Sequence, residues 1–150
     1  MVRGFFGIVL GYLVIFGVVF LSFTVAYLVL GADRTFLPGT YEVSMLWLGI
    51  SFGLAFVAAV IGGLVCTIIA RGYKAALILV ILIIVMGVAL ALPTMNQVDA
   101  GKKSVRDATV GNLEAMMNAK QPTWVALLNP VIGAVGVFLG SRLKGSFTRQ

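Results

Sequence analysis

Four stretches of this chain hold no charged residue at all: 4–32, 43–70, 75–98 and 121–141. Together they cover about two thirds of the sequence. The hydrocarbon core of a bilayer is about 30 Å thick and needs about 20 apolar residues at 1.5 Å each. Every run is long enough to cross it. The third has the narrowest margin, with an unbroken apolar part over 75–92. A soluble fold is the competing solution, and composition argues against it. Hydrophobic residues are 61% of the chain and charged residues 11%, against roughly 25% charged in soluble domains. So little polar surface could not cover so much apolar side chain. The fold class that follows is an all-α integral membrane protein of four antiparallel transmembrane helices. One membrane domain spans 1–150, with spans at about 4–31, 43–70, 75–93 and 122–141.

The net charge of +6 would suit a nucleic-acid binder, but its placement points elsewhere. All five acids (Asp33, Glu42, Asp99, Asp107 and Glu114) fall in the connections 32–42 and 94–121. Arg34, Lys102, Lys103, Arg106 and Lys120 share those connections and neutralise them. Arg3, Arg71, Lys74, Arg142, Lys144 and Arg149 lie on the other side with no acid among them. Basic residues near span ends are retained in the cytoplasm. Both termini are therefore expected inside, in a bacterial-type inner membrane, with the two longer connections outside. The high pI becomes a topology signal, with the lipid bilayer as the partner and no nucleic acid. The first apolar run far exceeds the roughly 7–15 residues of a signal-peptide core, so a retained helix is expected.

The connections carry local signals. Pro38-Gly39 reads as a turn, with proline setting φ and glycine accepting a positive one. Phe36, Leu37 and Tyr41 suggest that this segment lies against the membrane surface or a partner. Tyr41, Trp47 and Trp124 sit where an outer aromatic belt is expected. The short link 71–74 should make the second and third helices packing neighbours. The third span is nearly uniform large aliphatic, which places it at the lipid edge. Ser104 and Asp107 resemble a capping box. A short extracytoplasmic amphipathic helix over 104–119 follows, turning Val105, Ala108, Leu113, Met116 and Met117 broadly one way. Pro122 suits the start of the fourth helix.

Small residues recur at helical spacing in three spans. The first carries Gly7 and Gly11. The second carries Ser51, Ala55, Ala59 and Gly63, with Gly49 and Gly53 on another face. In the fourth, Ala126, Asn129, Gly133, Gly136 and Gly140 repeat at intervals of three and four. Lipid tails are as apolar as leucine, so helices in membranes associate by close packing, which glycine permits. These stripes are read as helix-packing or partner-docking faces. Asn129-Pro130 is a possible polar site or kink, because proline frees the carbonyl of Ala126 one turn earlier.

Absences narrow the function. No ionisable group lies in any span, which disfavours proton-coupled pumps and exchangers. The chain has no histidine, and its acids are confined to loops among lysines and arginines. Neither a nucleophile–base pair nor a metal set can be assembled from them. Met116-Met117 fits packing better than a copper site. Cys66, the only cysteine, cannot form an internal disulfide and reads as a small packing residue. No catalytic residue, cofactor or metal is expected. The leading expectation is a non-catalytic accessory, assembly or structural subunit of a larger membrane complex, bound to other subunits or to itself. The alternative is a small channel or facilitator for a neutral solute, using a glycine-lined path and Asn129.

Overall fold

A computed structural model of the chain describes residues 2–96, 105–106, 111, 114–115 and 118–147. Four helices dominate it: α1 (Val2–Thr35), α2 (Met45–Ala70), α3 (Tyr73–Asn96) and α4 (Thr123–Phe147). Each contains a segment long and apolar enough to cross a membrane. Among the described residues there is no strand, only two isolated bridges, Phe36 with Val43 and Glu42 with Lys120. A backbone inside lipid must satisfy its own hydrogen bonds, and a helix does so within one segment. Hydroxyls in the spans follow the same economy. Ser22 donates to the Val18 carbonyl (2.6 Å), Thr24 to Phe20 (2.7 Å), Ser51 to Leu48 (2.9 Å) and Thr67 to Gly63 (2.8 Å).

The helix ends have identifiable causes. α1 runs past the apolar stretch because it absorbs a kink at Gly31, whose φ of 70° and ψ of 172° suit a residue without a Cβ. The last turn beyond the kink is held by Thr35 Oγ1 donating to the Gly31 carbonyl (2.8 Å). Ser44 caps α2, accepting from the Trp47 N–H at 3.2 Å. Arg71 closes α2 in the left-handed region (φ 52°, ψ 27°) and turns the chain directly into α3.

α2 is the hub. It packs broadly against α1 and α4, whereas α3 packs chiefly against α4 and touches α1 and α2 less. The short link therefore keeps the ends of α2 and α3 together without making them principal partners. The faces of α2 that approach closely are taken by α1 and α4. α3 seats a narrow stripe spaced by four, Leu79, Ile83, Gly87 and Ala91, and leaves Ile78, Ile81, Val85 and Leu90 exposed.

The residue order along the seams is regular. A Cβ on Gly7 would stand 2.8 Å from the Ala70 Cβ, and one on Gly11 would stand 2.8 Å from that of Cys66. Gly62 meets Ile15. The contacts thus ascend α1 as they descend α2. Between α2 and α4 the contacts instead descend both helices together: Phe52 with Trp124, Ala59 with Gly136. Gly63 and Gly140 press on the backbone of Val137 and Val60. α3 meets α4 through Gly87 on the Pro130 ring and Ile83 on Gly133. Cys66 is fully buried in the core that these helices share with Leu79 and Val137.

A second core sits under the connections. Tyr27, Phe36, Tyr41, Val43, Trp47, Leu48, Ala115 and Val125 bury one another. Tyr27 meets Trp47 edge-on at 6.0 Å and Phe36 at 6.3 Å, the geometry that opposed ring quadrupoles favour. The turn at Pro38-Gly39 forms with Gly39 at φ 69° and Thr40 N–H donating to the Leu37 carbonyl at 3.1 Å. The second connection closes over it. Val43 N–H donates to Lys120 O (3.1 Å), Lys120 N–H to Tyr41 O (2.8 Å) and Arg106 N–H to Gly39 O (2.9 Å).

This cap changes the role of the aromatics. Tyr41 is 1% exposed and Trp47 is buried, so neither serves as a membrane belt; Trp124 alone of the three is exposed. Phe36 is likewise buried, and of Phe36, Leu37 and Tyr41 only Leu37 faces outward. Most of the amphipathic helix expected over 104–119 lies outside the described residues. Within it, Ala115 is buried, Val105 is exposed, and Ala115 N–H bonds Gly111 O at helical spacing.

Candidate docking face

The small-residue faces divide into those in use and those left open. Gly7, Gly11, Gly63, Gly136 and Gly140 each face a neighbour closer than an ordinary van der Waals contact with a Cβ would allow. Gly133 stands nearest the Ile83 Cγ2, at 3.0 Å from its notional Cβ. Ala59 and Ser51 are buried and Ala55 is half-buried. Two glycines that the spacing did not single out join the seams. Gly62 lies one residue from the α2 stripe and faces α1, and Gly87 sits on the Pro130 ring. The four-residue repeat from Leu79 to Ala91 was the available signal for Gly87.

Gly49 and Gly53 behave differently. Both are exposed, and a Cβ on either would meet nothing within 4 Å. Leu46 and Val57 flank them on the same exposed arc of α2. Asn129 is also exposed, and its amide has no hydrogen-bond partner among the described residues. Its position is informative. Seven residues before Gly136, it belongs by helical period to the side of α4 that meets α2. In depth it falls between Trp124, level with Phe52, and Gly136, level with Ala59. Pro130, one step on and about 100° around the helix, is buried against Gly87 of α3. The freed carbonyl at Ala126 takes no bond from Asn129. Gly49 and Gly53 on α2 and Asn129 on α4 are thus exposed positions on two helices that pack against each other.

An open amide there has a chemical consequence. Asn offers two donors and an acceptor, and hydrocarbon offers neither in return. A helix that supplies them, and that can approach over glycine, would satisfy both features at once.

The cap holds the other polar constellation. Arg106 is buried, with Nη2 bonding Asp33 Oδ1 at 3.1 Å; the side chains are 6% and 92% exposed. Its guanidinium lies 5.9 Å from the centre of the Phe36 ring. Arg106 Nε and the Tyr41 hydroxyl are buried without a hydrogen-bond partner among the described residues. Among the same residues no three His, Cys, Asp or Glu side chains gather as a metal set. Asp99 and Asp107 lie outside them. The cap is thus a packed clasp between connections. Comparison with protein-family models, with curated proteins and with solved structures finds no match to this chain.

Proposed function

We propose that this chain is a non-catalytic multi-pass subunit that helps assemble or stabilise a larger membrane complex, docking a partner's transmembrane helix across Gly49, Gly53 and Asn129. The observation that carries this reading is the division of the small residues. Most are consumed by the protein's own seams, while these three positions stay open on α2 and α4. The partner helix presents small residues toward Gly49 and Gly53 and a hydrogen-bonding side chain or freed carbonyl toward Asn129. The helices alternate in direction, with both termini in the cytoplasm of a bacterial-type inner membrane and the cap outside. The contact order, ascending α1 while descending α2, supports the alternation. The acid-free Arg3, Arg71, Lys74 and Arg142 side supports the orientation. A channel along the glycines gains no comparable support, since Gly63, Gly136 and Gly140 are filled by neighbouring atoms.

The test is purification in a mild detergent of the wild-type chain beside Gly53→Ile and Asn129→Leu. Wild type should bring down a defined membrane partner at fixed stoichiometry. Both variants should lose it while keeping the helical content and elution volume of the free subunit. A wild-type chain that elutes as a lone monomer from native membranes counts against the proposal. So does a partner retained by both variants.

A further inference from the structure

The helix ends opposite the cap gather charge of one sign. Arg3 opens α1, Arg71 and Lys74 flank the turn from α2 into α3, and Arg142 lies near the end of α4; all four are exposed. Contacts of their neighbours bring them to one end of the bundle. Gly7, one turn beyond Arg3 on the same face of α1, packs on Ala70 beside Arg71. Tyr73, beside Lys74, meets the Phe138 ring edge-on at 6.4 Å. The Arg142 guanidinium lies 4.3 Å from the centre of that same ring. None of the four pairs with an acid among the described residues. In sequence, all five acidic side chains of the chain fall at or between the opposite helix ends. The counterions for this end therefore come from its surroundings.

Depth decides what those surroundings are. Arg3, Lys74 and Arg142 lie inside the segments Val2–Thr35, Tyr73–Leu92 and Thr123–Leu143, each long and apolar enough to cross a membrane. A charge at the margin of such a segment stands at headgroup level, with its stem along the apolar boundary. Only Arg71 and Gly72 separate α2 from α3, so this turn offers no projecting loop for a soluble acidic protein to grip. Lipid phosphates lie at that depth, and basic residues there attract anionic lipid. Arg142 is the best prepared to hold one. The Phe138 ring restrains its guanidinium at a cation–π distance, so less freedom is lost when the planar fork meets a phosphate. Phosphatidylcholine carries its own cation beside its phosphate and would leave this end uncompensated. We infer that the ends of α2, α3 and α4 form a binding site for the headgroup of an anionic phospholipid, with Arg142 contacting the phosphate and Arg71 and Lys74 supplying the surrounding charge. The site is separate from Gly49, Gly53 and Asn129 and does not depend on the docking proposed there.

The experiment is native mass spectrometry of the full chain, titrated separately with dioleoylphosphatidylglycerol, dioleoylphosphatidylcholine and glycerol 3-phosphate. Wild type should bind phosphatidylglycerol at least about fivefold more tightly than phosphatidylcholine, the worth of one basic residue at a membrane surface. Arg142→Gln should lower phosphatidylglycerol affinity about fivefold and leave phosphatidylcholine unchanged. Arg71→Gln with Lys74→Gln should also lower it, and Arg142→Lys, which keeps the charge, should lose less than Arg142→Gln. Arg34→Gln removes the same charge at the opposite end and should bind as wild type, as should Gly53→Ile at the docking face. Equal affinity for the two lipids overturns the inference. So does undiminished preference in a folded Arg142→Gln chain, or an equal loss in Arg34→Gln. Displacement of the lipid by glycerol 3-phosphate would assign the patch to a soluble anion instead. An acidic protein that co-purifies with wild type from native membranes and is lost with Arg142→Gln, in place of any lipid preference, would overturn it as well.

Discussion

Gly140→Ala and Gly53→Ala make the same chemical change in two helices of one bundle, and the structure assigns them opposite outcomes. At Gly140 the new methyl would press on the Val60 carbonyl oxygen and lie 2.8 Å from its carbonyl carbon and 3.0 Å from its Cα. These are backbone atoms, so no rotamer change relieves the overlap and α2 and α4 must separate. Overpacking of this kind costs about 1–3 kcal/mol, and a backbone obstacle puts the cost toward the upper end. At Gly53 nothing stands within 4 Å. The methyl there removes a flexible residue from a helix interior, worth up to about 1 kcal/mol in favour of alanine. Reversible unfolding of the isolated subunit in bicelles, followed by steric trapping, measures both. Gly140→Ala should lose about 2–3 kcal/mol, and Gly53→Ala should match or slightly exceed wild type. Equal destabilisation by the two would refute the division of the glycines into seam and open face. A neutral Gly140→Ala would refute the close approach of α2 to α4.

Four further outcomes follow from the cap and the topology. Tyr41→Phe removes a buried hydroxyl that has no partner among the described residues; equilibrium unfolding should show no loss and up to about 1 kcal/mol of gain. Asp33→Asn should cost no more than about 1 kcal/mol, since the carboxylate is 92% exposed. Arg106→Ala should cost more in the same assay, because its stem and guanidinium also cover Phe36. A phosphatase reporter fused after Gln150 should be inactive and one inserted after Gly39 active; the reverse pattern would invert the orientation.

The parts of this fold legible in the sequence were those governed by local physics. Charge-free runs reveal spans because length and apolarity alone decide what crosses a bilayer. Ser22, Thr24, Ser51 and Thr67 bond their own helices, as their composition suggests. Pro38-Gly39 turns because those two residues favour the turn wherever they occur. What depends on distant partners was hidden. Tyr41 reads as a surface aromatic until Lys120, 79 residues on, pairs with its backbone carbonyl. α3 looked like a neighbour of α2 because the link is short, yet its companion is α4. The stripes identified small residues but not their partners. Gly53 and Gly63 look alike in sequence, and only the arrangement of the other helices distinguishes an open face from a closed seam.

The bond from Lys120 to the first connection has a consequence for how the chain is made. Synthesis proceeds from the N-terminus, and segments already made begin to fold before the rest exists. Until residue 120 emerges, the backbone N–H of Val43 and the carbonyl of Tyr41 lack the partners they have in the finished cap. Until α4 follows, the α2 surface around Val60 and Gly63 stands uncovered in lipid. The last quarter of the chain therefore completes both cores at once. A product halted before it would present an unpaired cap and a bare glycine seam together.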